Sequence, residues 1–111
     1  MGSIRQEKVS GIIKKELAII FQRNANELCL GSMVTPTVVR VTSDLSLARV
    51  YLSVFAADDP EEVIAFINEN KGLIKREVGR KLKNFRKIPD LNFKIDDSLD
   101  YANEIEELLK S

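Results

Sequence analysis

The chain has 111 residues, of which 44% are hydrophobic and 31% charged, and its 17 basic and 17 acidic side chains leave no net formal charge. This composition is typical of one folded globular domain and excludes an intrinsically disordered chain. No apolar run approaches the roughly 20 residues that a membrane span requires, and no apolar signal-peptide segment follows the first residue. We therefore expect a cytoplasmic protein that stays outside membranes.

The chain contains one cysteine, Cys29, and no histidine. We expect Cys29 to be a small buried apolar side chain, since one cysteine cannot form an internal disulfide. The missing histidine removes the commonest general base and transition-metal ligand, and no nucleophile or phosphate-loop motif is present. Asp96, Asp97 and Asp100 could bind a hard cation, although a helix-capping cluster is the simpler interpretation. The sequence thus predicts a protein that is not an enzyme and holds no metal or cofactor.

An amphipathic helix is predicted from Arg5 to Arg23, because apolar residues recur there with the 3.6-residue spacing of one helix face. This face comprises Val9, Ile12, Ile13, Leu17 and Ile20. Residues 24–36 are rich in Asn, Gly, Ser and Pro and predict an irregular connection. The basic residues of this region are interpreted as solubilising, with a supporting contact to phosphate as the alternative. They are Lys8, Lys14, Lys15 and Arg23.

Two β-strands are predicted at residues 37–42 and 47–55, where apolar side chains alternate with polar ones. The intervening residues 43–46 predict a tight turn, so the strands should form an antiparallel hairpin with one face against the core. Arg40, Arg49 and Tyr51 should lie on the other face. We favour cross-strand packing for Tyr51, and an RNA-stacking platform is the alternative.

Two further helices are predicted on either side of a kink. Asp59 and Pro60 are typical of a helix start, with Glu62 at the spacing of a capping box. Asn70, Lys71 and Gly72 predict an interruption, because asparagine replaces an apolar residue and glycine weakens a helix. One continuous helix is the alternative.

The residues from Lys71 to Lys87 predict a basic helix, with eight Lys or Arg and one acidic residue, Glu77. Leu73, Ile74, Val78 and Leu82 should cover the sheet, with Phe85 on the same side. We interpret the opposite side as a phosphate-binding surface, with a solvated helix face as the alternative. Its main contacts would be Arg76, Arg80, Lys83 and Lys87, supported by Lys71, Lys75 and Arg86. Gly79, placed in this stripe, would allow a close backbone approach, with a packing glycine as an equal alternative.

Residues 88–90 break this helix at Pro89, and Leu91, Phe93 and Ile95 then alternate as in a strand. An acidic terminal helix is predicted at about residues 98–110. The predicted order α-β-β-α-α-β plus this helix indicates a single α+β domain, with a core at about residues 5–95. Helices should cover one face of a three-stranded sheet, and the long connection allows the third strand to pair in parallel.

Three stretches carry a resemblance to a known family. Residues 41–54 read VTSDLSLARVYLSV, residues 86–93 read RKIPDLNF, and DDSL at 96–99 precedes IEELL at 105–109. In this order they resemble the ribosome-binding factor A family, bacterial small-subunit maturation factors with a type II KH-like fold. The resemblance covers the chain from Arg5 to Leu109. The family's kink has Ala-x-Gly, whereas this chain has Asn70-Lys71-Gly72, so only the glycine agrees.

The resemblance implies a monomeric, non-enzymatic protein that binds the small ribosomal subunit or its precursor. It would assist late rRNA maturation, including in the cold, with ribosomal proteins or a ribosome-assembly GTPase as further partners. We expect recognition of RNA shape and backbone, because almost no exposed aromatic side chain is expected. A protein-binding adaptor, using the acidic terminal helix or the open sheet face, is the alternative. Membrane-surface binding is less well supported, because the core requires the apolar face of the basic helix.

Overall fold

The computed structural model describes residues 4–83 and 88–96. Its elements are α1 (Ile4–Arg23), α2 (Ala25–Leu28), β1 (Met33–Val41), β2 (Leu47–Phe55), α3 (Pro60–Glu69), α4 (Lys71–Gly79) and β3 (Asp90–Ile95). The sheet has the order β1-β2-β3, with β1 antiparallel and β3 parallel to β2. The predicted α+β fold is therefore confirmed, including the parallel third strand. The predicted terminal helix at about 98–110 lies outside the described residues.

The core fills the space between one face of the sheet and the long helices. Alternate residues of β2, Ala48, Val50 and Leu52, are fully buried because a strand sends successive side chains to opposite faces. Helix α1 packs along β1, while α3 and α4 lie against β3. The rings of Phe21 and Phe93 meet edge to face, with centroids 6.0 Å apart. One sheet face is thus covered by helices, as predicted.

The connection predicted at residues 24–36 is shorter in the structure. Its first part contains the short helix α2, and β1 begins at Met33 instead of Thr37. Pro36 lies within β1, where it pairs with Leu52 next to a shift in register. A proline is tolerated there because β1 is an edge strand and an irregularity relieves the missing N–H. The sequence rule that proline breaks a strand misplaced this boundary.

Polar side chains hold the turn between β1 and β2. Asp44 Oδ1 accepts hydrogen bonds from Ser46 N at 3.1 Å and from Thr42 Oγ1 at 2.8 Å. Thr42 Oγ1 also accepts from Leu47 N at 3.1 Å, so this turn joins the two strand ends. Leu45 adopts a left-handed backbone with φ of 61°, which is uncommon for a residue other than glycine, and its side chain is buried. The core contact of Leu45 was not predicted.

Amide side chains from the helices bind both edges of the sheet. Gln6 Nε2 donates to the Val41 carbonyl at 2.9 Å on β1. Asn68 Nδ2 donates to the Phe93 carbonyl at 3.0 Å, and Phe93 N–H donates to Asn68 Oδ1 at 3.2 Å. The Asn68 side chain therefore supplies the hydrogen bonds that a neighbouring strand would otherwise make with the backbone of Phe93 at this edge. Such contacts block an edge against pairing with another chain.

Cys29 is fully buried, as predicted, and burial raises the pKa of its thiol to about 11. At pH 8 only about one thiol in a thousand is therefore ionised, and thiolate is the reactive form. We expect no measurable reaction of Cys29 with a disulfide reagent in the native protein at pH 8. Full reaction of one thiol should follow unfolding in urea. Rapid labelling of the native protein would contradict the buried position.

Candidate nucleic-acid interface

The kink between α3 and α4 is confirmed, and Asn70 forms it. The side chain of Asp59 caps α3 by accepting from Glu61 N and Glu62 N, as predicted. At the other end, Asn70 Nδ2 donates to the Phe66 carbonyl at 2.9 Å, and Asn70 N–H bonds to the same turn. A Cβ added to Gly72 would meet no atom within 4 Å. The break thus depends on hydrogen bonds of Asn70, and Gly72 leaves an open surface beside it.

Helix α4 buries one side and exposes basic residues elsewhere. Ile74 and Val78 are buried against α1 and β3, while Lys71 and Arg76 are exposed. This orientation confirms the amphipathic pattern for these residues. The prediction for Leu73 is wrong, because its side chain is 51% exposed and borders a groove next to α1. Leu73 lies on a side of α4 that α1 and β3 do not cover.

The prediction of one helix up to Lys87 is wrong in its described part. Helix α4 ends at Gly79, and the chain continues in turns through Lys83. Leu82 N–H bonds to the Gly79 carbonyl at 3.1 Å, three residues back, which tightens the chain as at many helix ends. The turn buries Leu82 completely. Phe85, Arg86 and Lys87 lie outside the described residues.

Gly79 is a packing glycine. It is buried, and a Cβ added there would lie 2.7 Å from Ile88 Cδ1. The close approach predicted at Gly79 therefore exists, but the protein's own Ile88 makes it. This contact brings the end of α4 against the segment that leads into β3. Gly79 is consequently no part of an exposed basic stripe.

Lys75 is tied to the beginning of β3. Its Nζ lies 2.6 Å from Asp90 Oδ1, and the two form an ion pair at the surface. The hydrogen bond and the positive charge of Lys75 hold the pKa of Asp90 below its ordinary value. Lys75 and Lys71 border a groove at the kink with a volume of about 850 Å³, whose other wall includes Asp90 and Asn92. Lys75 therefore links α4 to β3 on this side.

Arg80 has a weaker acidic partner, since its Nη1 lies 3.5 Å from Glu77 Oε2. Both side chains are well exposed, and such surface pairs contribute at most about 1 kcal/mol. Arg80 can therefore exchange Glu77 for a phosphate at little cost. Arg76 and Lys83 are exposed and form no ion pair with any described residue.

Lys81 is a further basic residue at this surface, and it is not among the predicted site residues. It is exposed and borders a groove of about 630 Å³ between α1 and α4. The charges around this groove balance, as three acidic and three basic residues line it. They are Glu16, Glu27, Glu77, Arg23, Arg80 and Lys81. The sequence contained no signal for Lys81, because the helix ends at Gly79 and helical spacing does not decide exposure beyond that residue.

The predicted basic residues thus occupy different settings instead of one stripe. Lys71 and Lys75 border the kink groove, and Arg80 borders the α1–α4 groove. Arg76 lines neither groove and points away from the buried side of α4. In the described ranges, no cluster of three potential metal ligands occurs. No helix in those ranges is long and apolar enough to cross a membrane.

Comparison with known protein sequences gives one consistent result. The model of the family described as Ribosome-binding factor A matches residues 5–109. The Ribosome-binding factor A of Christiangramia forsetii is 44% identical over 108 residues, which are 96% of this chain and 82% of that protein. That of Brevibacillus brevis is 39% identical over 99% of this chain and 90% of its own length.

Comparison with solved structures agrees with the sequence matches. The crystal structure of ribosome-binding factor A from Thermus thermophilus superposes with a TM-score of 0.68. It shares 20% identity and covers 81% of this chain and 94% of that one, which supports the fold. With the family match over nearly the whole sequence, it follows that the chain belongs to the ribosome-binding factor A family.

Proposed function

We propose that the protein binds the small ribosomal subunit, or its precursor, and assists late maturation of its rRNA, including in the cold. It would do so by binding alone, without catalysing a reaction. The proposal follows from the family and from relatives that carry the name Ribosome-binding factor A. It includes a monomer acting in the cytoplasm, with ribosomal proteins or a ribosome-assembly GTPase as further partners.

One observation carries the proposed mode of binding. Residues 71–83 contain six Lys or Arg and one acidic residue, a net charge of +5 in a chain whose total is zero. In this segment Arg76 and Lys83 are exposed and free of ion pairs with the described residues. Charges left without partners at a surface can neutralise phosphates and release counterions. We therefore place the main rRNA contact here.

The predicted site residues have different roles in this proposal. Arg76, Arg80 and Lys83, together with Lys87, would bind phosphates directly. Lys71, Lys75 and Arg86 would support them. For Lys75 the support is structural, because its ion pair with Asp90 fixes α4 against β3. Phosphate contacts position a protein on RNA without reading bases.

Co-sedimentation with bacterial small subunits across a salt series tests the proposal. With ~4–5 phosphate contacts, the logarithm of the affinity should fall against the logarithm of salt concentration with a slope on the order of −3 to −4.5. Arg76→Glu combined with Lys83→Glu should weaken binding at least ~10-fold and make the slope shallower by about 2. Both side chains are exposed, so circular dichroism should show an unchanged fold.

The matched control is Lys14→Glu combined with Lys15→Glu, which reverses the same charge on the exposed side of α1. Its binding should stay within threefold of the unaltered protein. If neither mature nor precursor subunits bind at low salt, the proposed function is wrong. Binding that survives the change at Arg76 and Lys83 would contradict the electrostatic contact and favour a protein-binding adaptor.

A further inference from the structure

The uncovered face of the sheet has an ordered arrangement of side chains. The strand register places them in five rows across the sheet, from one end to the other. The rows are Met33–Phe55, Thr35–Ser53, Val38–Tyr51–Lys94, Arg40–Arg49–Asn92 and Leu47–Asp90. The helices cover the opposite face, so this face is separate from the exposed side of α4. The one acidic residue in these rows is Asp90, at the end of the sheet, and its carboxylate is already paired with Lys75.

Two aromatic side chains belong to this face. Phe55 is 69% exposed, and Tyr51 is half-buried between its neighbours Val38 and Lys94. They lie four residues apart on β2, which separates them by about 13 Å along the strand. The row between them holds only the small residues Thr35 and Ser53. The expectation that almost no aromatic side chain is available for base stacking is therefore incomplete.

The basic residues of this face are placed where they destabilise the folded sheet. Arg40 and Arg49 are directly opposite each other on adjacent strands, and like charges in this position destabilise a sheet. Lys94 lies in the next row on β3. None of the three forms an ion pair with a residue that the structure describes. Three unpaired cations on one face are complementary to a polyanion.

We propose that this open face binds a segment of single-stranded RNA. Bases stack on Tyr51 and Phe55, while Arg40, Arg49 and Lys94 neutralise the phosphates of the same segment. Aromatic platforms beside cations on a sheet are the arrangement that binds unpaired nucleotides, because every base has a stacking face. The inference rests on the proposed function only in taking RNA as the ligand. It adds a second surface, which binds bases where α4 binds backbone.

The chain contains no tryptophan, so a Phe55→Trp variant has a single tryptophan as a fluorescent reporter on this face. Titration with a 12-nucleotide single-stranded RNA of mixed sequence should quench its emission as the bases stack. The quenching and the anisotropy of the labelled RNA should give the same affinity. Combining Phe55→Trp with Arg76→Glu and Lys83→Glu should preserve the quenching, because α4 lies on the other side of the sheet.

Removing the aromatic rings should lower the RNA affinity, whereas removing the arginine charges should change its salt dependence. Tyr51→Ala and Phe55→Ala should each weaken RNA binding about five- to 150-fold. Leu73→Ala is the control, since it removes an exposed apolar side chain elsewhere and should leave the affinity unchanged. Arg40→Ala combined with Arg49→Ala should make the salt slope shallower by about 1.4. The same double variant should melt at an equal or higher temperature, because it removes like-charge repulsion.

Unchanged tryptophan emission at RNA concentrations that saturate the anisotropy signal would overturn the inference. So would full RNA affinity in the Tyr51→Ala and Phe55→Ala variants when both remain folded. Either result would leave the proposed function standing, provided that co-sedimentation still depends on Arg76 and Lys83. Loss of co-sedimentation with intact quenching would reject the proposed function and retain the RNA-binding face.

Discussion

Phe93→Ala is expected to lower the free energy of unfolding by about 3–5 kcal/mol. Phe93 is only 2% exposed on β3, and its ring packs edge to face on Phe21 of α1. The substitution leaves a cavity between the sheet and the first helix, and the close-packed surroundings collapse only in part. Domains of this size are stable by about 5–15 kcal/mol, so the loss is a large share of the total. Urea unfolding followed by circular dichroism measures it.

Phe55→Ala is the matched control, because it removes the same ring from an exposed position of the same sheet. Its effect on stability should stay within about 0.5 kcal/mol. A double-mutant cycle with Phe21→Leu and Phe93→Leu should give a coupling of about 0.5–1.5 kcal/mol from the ring contact. A loss below about 1 kcal/mol in Phe93→Ala would contradict the described core.

Asn68→Ala is expected to lower the free energy of unfolding by about 2–3 kcal/mol. Its side chain makes two hydrogen bonds with the backbone of Phe93, one to the carbonyl and one from the N–H. Alanine leaves both backbone groups without their partner. Each unpaired, partly buried group costs about 1–3 kcal/mol, and water that enters the site and bonds to the group offsets part of that cost. Hydrogen exchange of the Phe93 amide should accelerate along with the change in stability.

Asn92→Ala is the control for this prediction. Asn92 lies next to Phe93 on β3 and is half-buried to a similar degree. No hydrogen bond of its side chain to a described residue is present, so the change should cost no more than about 0.5 kcal/mol. Equal effects of the two alanine variants would show that Asn68 does not hold the edge of β3.

The parts of the fold that were predicted correctly follow from local patterns. Strict alternation from Leu47 to Phe55 identified β2 with its bounds and its two faces. The cap at Asp59 and the break at Asn70 follow from side chains that bond to neighbouring backbone. Such signals are contained in a few successive residues. For that reason they can be recognised before any tertiary contact is known.

The parts that failed depend on residues that are distant in sequence. Helix α4 ends at Gly79, which packs against Ile88, and helical periodicity contains no sign of this end or of that contact. The ion pair between Lys75 and Asp90 likewise joins two elements, so counting charges along one helix overstated the free positive charge. The open-face rows required the register of three strands. Alternation along β2 places Phe55 on the same face as Arg49, but it does not show which residues of β1 and β3 lie beside them.

The parallel pairing of β3 with β2 has a consequence for the order of folding. The hairpin joins β1 and β2, which are neighbours in sequence. Strand β3 can pair with β2 only after the ribosome has synthesised helices α3 and α4, which lie between the two strands in sequence. Contacts between distant segments form slowly because a long loop must close first. Helix α4 is held by β3, so its basic residues reach their final places late. In a nascent chain, the surface that we propose to bind rRNA is therefore incomplete until the β3 segment has emerged and docked.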